Sequence, residues 1–222
     1  MNTFISGGCK NGKSYYAQRL AQDTAERESR PLYYIATMIP RDEEDRARIR
    51  RHLAEREGWG FETIEQGTNI TGILDRQEAG EDIDMGGVFL LDSVTAIMEN
   101  EMFPRKPKGG AGEEIRTDLR APERVKGEML HFAGAIREAG GAVVFVSDGI
   151  YGDGGEYSSS TEEYRKALAG VDIALAEDCE RVVEISYGTA ELWKGRASEQ
   201  PQNREPAISK LRRSGTPERE NR

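Results

Sequence analysis

Short runs of hydrophobic residues recur along this chain, and longer segments with apolar residues at helical spacing separate them. The short runs are rich in β-branched and aromatic side chains, which fit a pleated sheet, so they predict buried strands. Six strands are predicted within residues 1–6, 31–37, 58–65, 88–92, 141–148 and 181–187, and a turn with a short last strand is predicted at 188–193.

The segments between the strands predict helices. In the first of them, which starts at Ser14, the apolar positions 16, 17, 20 and 21 share one face. Further helices are predicted at 40–56, 66–86, 93–103, 123–138 and 160–177. Strands that alternate with helices in this way predict an α/β fold with a mostly parallel central sheet and helices on both faces. We expect a single domain over residues 1–196.

Two segments do not follow this alternation. Residues 104–124 are polar and rich in Pro and Gly, which predicts a flexible insertion and suggests a lid. Residues 197–222 are rich in Ser, Gln, Pro, Asn and Arg and contain few apolar side chains. Such a segment buries too little apolar surface to offset its ordering entropy, so we expect a disordered tail.

The first turn between a strand and a helix has the sequence Gly-Gly-Cys-Lys-Asn-Gly-Lys-Ser, from Gly7 to Ser14. It fits G-x-x-x-x-G-K-[ST], the phosphate-binding loop of nucleoside triphosphatases and kinases. The glycines let successive backbone N–H groups point at phosphate oxygens, and the following helix directs its positive end toward the anion. Lys13 is expected to reach the β- and γ-phosphates, and Ser14 to offer its hydroxyl to Mg²⁺.

A second element of nucleotide sites follows the strand at 88–92. Four apolar residues there end in Asp92, the pattern of an acid placed near Mg²⁺ at the end of a strand. The strand at 31–37 leads into Ala36, Thr37 and Met38, which we expect in a loop at the carboxyl edge of the sheet, where open α/β sheets bind ligands.

The helix predicted at 40–56 is densely charged, with acidic residues first and basic residues later. On these grounds alone it is a solvated helix with many ion pairs. It also carries His52, one of two histidines in the chain, flanked by Arg50, Arg51 and Arg56. These cations favour a neutral, nucleophilic imidazole and offer charge to a phosphate chain, so His52 is a candidate catalyst. The other histidine, His131, has the pattern of a surface residue.

Composition narrows the function classes. The formal net charge is −9 and the pI is about 5.0, so the basic footprint expected of a nucleic-acid-binding protein is absent. No apolar run approaches the roughly 20 residues of a membrane span, and the first strand leaves no room for a signal peptide. Two cysteines, Cys9 and Cys179, do not form a disulfide framework. We expect a cytoplasmic protein.

Several of these stretches occur in an order that resembles one family, the bifunctional adenosylcobinamide kinase/adenosylcobinamide-phosphate guanylyltransferases of cobalamin biosynthesis. After the phosphate loop come Tyr-Ile-Ala-Thr at 34–37, Arg-Ile-x-x-His at 48–52, Thr-Ile-Glu at 63–65 and Leu-Leu-Asp-Ser-Val-Thr at 90–95, with a weaker match at 144–148. Together they extend over most of residues 1–190. The Arg-Ile-x-x-His element is the most specific.

The resemblance implies a RecA-like phosphate-loop fold and a homotrimer. It implies that His52 takes GMP from GTP, releases pyrophosphate and passes the GMP to adenosylcobinamide phosphate, and that the protein also phosphorylates adenosylcobinamide, with GTP and ATP as substrates. By position, it implies that the guanine nucleotide contacts Gly7, Gly8, Cys9, Lys10, Asn11, Gly12, Lys13, Ser14, Ala36, Thr37, Met38, Leu53, Ala54, Glu55, Arg56, Glu65 and Asp92, and that Mg²⁺ contacts Ser14 and Asp92.

The chain also departs from the family pattern. Asp148-Gly149-Ile150-Tyr151 stands where the family usually has Asn-Glu-Val-Gly, and Leu-Ala-Glu-Arg follows His52 where the family often has Lys-x-x-Arg. Two alternatives therefore stay open: a phosphate-loop kinase of another small molecule, and a regulatory protein that binds GTP without turnover.

Overall fold

A central sheet of seven strands organises the part of the chain that the structure describes, which is residues 1–40, 42–104, 117–152 and 154–196 of a computed structural model. The elements in chain order are β1 (Thr3–Gly7), α1 (Lys13–Glu28), β2 (Leu32–Ala36), α2 (Glu43–Glu55), β3 (Glu62–Glu65), α3 (Gly72–Glu78), β4 (Val88–Asp92), α4 (Val94–Met102), α5 (Ala121–Glu138), β5 (Ala142–Val146), α6 (Ser159–Asp178), β6 (Arg181–Ser186) and β7 (Thr189–Lys194).

The strand order across the sheet is β3-β2-β4-β5-β1-β6-β7. All neighbours pair in parallel except β6 and β7, which form an antiparallel hairpin. Strand β5 lies between β1, which leads into the glycine-rich loop, and β4, which ends in Asp92. This is the strand order of RecA-type phosphate-loop domains, so the predicted fold class is confirmed.

Two hydrophobic clusters lie on opposite faces of the sheet, because alternate residues of each strand point to opposite sides. Phe4 and Tyr33 belong to the cluster that packs against α4, α5 and α6, whereas Ile5 and Tyr34 belong to the cluster beneath α1. Four of the strands are buried on both sides, which explains their nearly continuous apolar sequences.

Two predicted boundaries are wrong. The helix expected at 66–86 is reduced to α3, because Asn69 and Gly80 adopt positive φ angles of 47° and 97° at its two sides. Helix α5 begins at Ala121, inside the predicted flexible insertion, and has Pro122 in its first turn, where proline suits a helix. Asp118 just before it is tied to α4 through a 2.8 Å bond from its N–H to the carbonyl of Met102. Residues 105–116 and the tail at 197–222 lie outside the described residues.

Within the described ranges, no helix combines the length and the apolar character that a membrane crossing requires.

Candidate active site

The glycine-rich loop leaves β1 at Gly7 and enters α1 at Lys13. Gly7 and Gly12 have φ angles of 149° and 91°, in the region that favours glycine. A side chain at Gly7 would also collide with the carbonyl oxygen of Ile185 in β6. These two positions explain the glycines of the motif, since the chain must turn sharply there while it packs against the neighbouring strand.

The Lys13 side chain lies inside this turn and is only 6% exposed. It donates to the carbonyl oxygen of Gly8 at 2.7 Å and forms an ion pair with Oδ1 of Asp148, also at 2.7 Å. Asp148 comes just after β5, the strand next to β1. The expected phosphate-binding cation is therefore fixed between the loop and an acid that follows the adjacent strand.

Asp92, at the end of β4, forms the second part of the site. Its carboxyl accepts hydrogen bonds from the hydroxyls of Ser14 and Tyr34, the latter at 3.2 Å. Burial raises the pKa of Asp92, and the two hydrogen bonds together with an electrostatic interaction with His52 oppose that rise. The hydroxyl and carboxylate oxygens that were predicted to bind Mg²⁺ thus lie in contact with each other.

Oxygen donors of this kind fit Mg²⁺, which takes one or two protein ligands and completes its shell with water and phosphate oxygens. Among the described residues, no three His, Cys, Asp or Glu side chains are grouped as a metal cluster. Ser14 and Asp92 would supply two such oxygens to the ion.

Arg56 connects the C-terminal end of α2 to this centre. Its side chain is buried, and the guanidinium lies over the Tyr34 ring, 3.6 Å from the ring centroid. Burial and the nearby Asp92 raise the pKa of Tyr34 well above its usual value, which keeps the phenol a hydrogen-bond donor.

His52 lies half-buried in the last turn of α2. Its electrostatic interaction with the carboxyl of Asp92 opposes the rise that burial causes in the pKa of Asp92, so the two residues lie near each other. Helix α2 begins with Asp42, whose carboxylate accepts the N–H of Asp45 at 2.9 Å, and three acids occupy its first turn. None of its described side chains is fully buried, whereas Arg56, which follows the helix directly, is buried.

A cleft of about 210 Å³ opens beside the glycine-rich loop, between α2 and the start of α4. Its lining is mostly polar and includes Asp148, so it shares a wall with the Lys13 ion pair. The other lining residues are Met38, Ile39, Asp45, Arg48, Ser93, Thr95, Ala96, Glu99 and Asn100.

The remaining predicted site residues lie in different surroundings. Thr37 is buried, and its hydroxyl accepts the N–H of Ser93 at 2.7 Å, so it joins the loops after β2 and β4. Met38 lines the cleft. Leu53 and Ala54 are exposed on α2, and for Glu55 only the backbone is described. Glu65 is exposed at the end of β3. Ala36 on β2 pairs with Glu65 on one side and with Asp92 on the other, so the backbones of the two acids lie about 10 Å apart, two strand spacings across the sheet.

Two acids near the loop are absent from the predicted site. The sequence marks Asp148 only as a departure from a family pattern, although it follows a buried strand at the carboxyl edge as Asp92 does. Asp172 lies on α6, where apolar neighbours give no sequence signal. It is buried and accepts hydrogen bonds from Ser147 at 2.9 Å and Tyr151 at 3.1 Å. Burial raises its pKa to about 7.

Comparison with known proteins relates this chain to one family. The sequence profile of the cobinamide kinase / cobinamide phosphate guanyltransferase family matches residues 3–191. The chain is 28% identical over 195 residues to the bifunctional adenosylcobalamin biosynthesis protein CobP of Pseudomonas aeruginosa, covering 88% of this chain and 98% of that protein. It is also 28% identical over 152 residues to the bifunctional adenosylcobalamin biosynthesis protein CobU of Escherichia coli K12, covering 68% and 76%.

Among solved structures, the chain is similar to a KaiC-like protein of Pyrococcus horikoshii OT3, with a TM-score of 0.45 and 14% identity over 88% of this chain and 79% of the other. The family profile extends from the strand before the glycine-rich loop into the last strand of the sheet. The chain therefore belongs to the cobinamide kinase / cobinamide phosphate guanyltransferase family.

Proposed function

We propose that this protein phosphorylates adenosylcobinamide and transfers GMP from GTP to adenosylcobinamide phosphate, with His52 as the residue that carries the GMP. The observation that supports this most directly is the electrostatic interaction of His52 with Asp92, the acid whose carboxyl also accepts a hydrogen bond from Ser14 at the start of α1. A histidine far from the glycine-rich loop could not receive GMP, and the protein could then only bind the nucleotide.

In the first transfer, a ring nitrogen of His52 attacks the α-phosphorus of GTP. A nitrogen–phosphorus bond forms, the bond from the α-phosphorus to the bridging oxygen breaks, and pyrophosphate leaves. In the second transfer, a phosphate oxygen of adenosylcobinamide phosphate attacks the same phosphorus and the nitrogen–phosphorus bond breaks, which returns free His52. Two easier displacements thereby replace one difficult displacement.

The loop supplies the positive charge that this chemistry needs. Lys13 and the backbone N–H groups from Gly8 to Ser14 would face the phosphates of a bound nucleotide and stabilise the charge that develops on the leaving group. Ser14 and Asp92 would hold Mg²⁺, which neutralises charge on the phosphate oxygens when it is bound. Arg56 keeps the last turn of α2 against Tyr34, so that the imidazole stays near the loop.

The test is covalent labelling with GTP that carries radioactive phosphorus at the α-position. We expect the wild-type protein to acquire a label that is lost in acid and stable in alkali, as a phosphorus–nitrogen bond requires. His52→Ala should abolish the label. His131→Ala is the matched control, because the second histidine is exposed on α5 and should leave labelling unchanged.

Labelling that persists in the His52 variant would overturn this function and leave a phosphate-loop kinase or a GTP-binding regulator. The homotrimer that the family resemblance implies stays a prediction.

A further inference from the structure

We propose that Asp148 is the base that accepts the proton of the substrate hydroxyl in the kinase reaction, and that the cleft it lines receives the arm bearing that hydroxyl. The inference rests on the proposed function, since it names the acceptor subsite of the same centre. It is carried by three observations: the contact of Asp148 with Lys13, the backbone bonds that fix Asp148, and the shape of the cleft.

The contact with Lys13 places the carboxylate at the right distance from the chemistry. Oδ1 of Asp148 is 2.7 Å from the Lys13 ammonium, and the lysine of this loop type reaches the β- and γ-phosphates. A carboxylate within one hydrogen bond of that ammonium lies beside the γ-phosphate of a bound triphosphate. A hydroxyl bonded to Asp148 would therefore be close to the phosphorus that it attacks.

Backbone hydrogen bonds fix the position of Asp148 from two sides. Its N–H donates to the hydroxyl of Thr95 on α4 at 2.8 Å. The residues on either side of Asp148 are bonded to β1. The N–H of Ser147 donates to the carbonyl of Ile5, and the N–H of Gly149 donates to the carbonyl of Gly7, each at 3.0 Å. The acid is thus built into the same frame as the glycine-rich loop, which is what a positioned base requires.

The cleft suits a small polar arm. Its volume of about 210 Å³ is below the roughly 300 Å³ at which pockets for whole small-molecule ligands begin, so a macrocycle would remain outside while its side arm enters. Ser93, Thr95 and Asn100 make the walls polar, and internal hydrogen bonds hold their side chains in place. Arg48 contributes a cation one helical turn before His52, so α2 brings both residues to the same edge.

In this step the hydroxyl oxygen of the arm attacks the γ-phosphorus while its proton passes to a carboxylate oxygen of Asp148. The bond between the γ-phosphorus and the β–γ bridging oxygen breaks, and its electron pair leaves with the nucleoside diphosphate. Binding of the triphosphate draws the Lys13 ammonium toward the phosphates, which releases the carboxylate for the hydroxyl.

A simpler role for Asp148 is to restrain Lys13. That role affects both activities, since both use the loop, whereas a base for the hydroxyl affects only the kinase. The test therefore compares Asp148→Asn with the wild type in two assays: phosphorylation of adenosylcobinamide by ATP, and labelling of His52 by GTP. We expect kcat of phosphorylation to fall about 10²- to 10⁴-fold and the labelling rate to change by about threefold or less.

Retained labelling also shows that the variant is folded. Asp75→Asn is the matched control, an exposed aspartate on α3 that should change neither assay. Parallel loss of both activities, or full phosphorylation by Asp148→Asn, would show that Asp148 is not the base of the kinase reaction. The proposed function would still stand in either case. A wild-type protein that labels His52 but does not phosphorylate adenosylcobinamide would overturn the kinase half of the proposed function together with this inference.

Discussion

The hydroxyl of Tyr34 donates a hydrogen bond to Oδ2 of Asp92 at 3.2 Å, while the same ring supports the guanidinium of Arg56. One aromatic side chain on β2 therefore connects the acid at the end of β4 with the end of the helix that carries His52. Its two polar contacts can be tested separately.

Tyr34→Phe removes the donor to Asp92 and keeps the ring under Arg56. Hydrogen bonds to charged groups contribute about 1.5–3 kcal/mol, so we expect Mg²⁺-dependent GTP binding to weaken about tenfold or more, measured by titration calorimetry. Tyr33→Phe is the control: its hydroxyl accepts the N–H of Asp84 at 2.9 Å and its ring packs in the cluster on the opposite face. Equal GTP affinity in Tyr34→Phe and wild type would show that this bond does not orient Asp92.

Arg56→Ala removes the buried cation that holds the end of α2. A desolvated cation–π contact contributes about 2 kcal/mol, so we expect the rate of His52 labelling to fall at least about tenfold. Arg46→Ala is the control on the same helix, where an exposed guanidinium lies 3.8 Å from Glu43 and should have little effect. If both variants label at the same rate, Arg56 does not position His52.

Asp172→Asn tests the buried acid on α6. Burial raises the pKa of Asp172 from 3.8 to about 7, so the folded protein holds a proton that the unfolded chain releases. Wild-type stability therefore falls as the pH rises from about 4 to about 7. The stability of Asp172→Asn should not show this fall. We therefore expect the difference in unfolding free energy, variant minus wild type, to increase by about 2–3 kcal/mol from pH 5 to pH 8, measured by urea denaturation. A difference that does not depend on pH would contradict the raised pKa.

Two glycine variants should act in opposite directions. Gly7→Ala places a methyl group against the carbonyl of Ile185 at a φ of 149°, so we expect thermal unfolding at a lower temperature and loss of GTP binding. Gly127 lies on α5 with open space where a methyl group would project, so Gly127→Ala should stabilise the protein by about 0.5–1 kcal/mol. Destabilisation by Gly127→Ala as large as that by Gly7→Ala would be incompatible with these surroundings.

The sequence predicted those parts of the fold whose signal is local. The buried strands, the glycine-rich loop and the acid that ends β4 each carry their own pattern, and the structure confirms the strands and the α/β fold. The position of His52 relative to Asp92 could not be derived in this way, since it depends on how α2 crosses the sheet edge.

Other features also depend on contacts that are distant in sequence. The predicted contact of Thr37 with the nucleotide stays a prediction, but the bond between its buried hydroxyl and the backbone of Ser93 has no local signal in the sequence. The helix at 66–86 was predicted too long because the left-handed residue Asn69 gives only a weak signal. The proximity of Asp148 to Lys13 follows from the placement of β5 beside β1, which a crossover connection produces.

The central claim is that His52 becomes covalently bonded to GMP. Tandem mass spectrometry of the peptide containing residue 52, after incubation of the protein with GTP and Mg²⁺, tests it most directly. We predict a GMP adduct on the imidazole of His52 that disappears when adenosylcobinamide phosphate is added. An adduct on any other residue, or an unmodified His52 in protein that still transfers GMP, would contradict this mechanism.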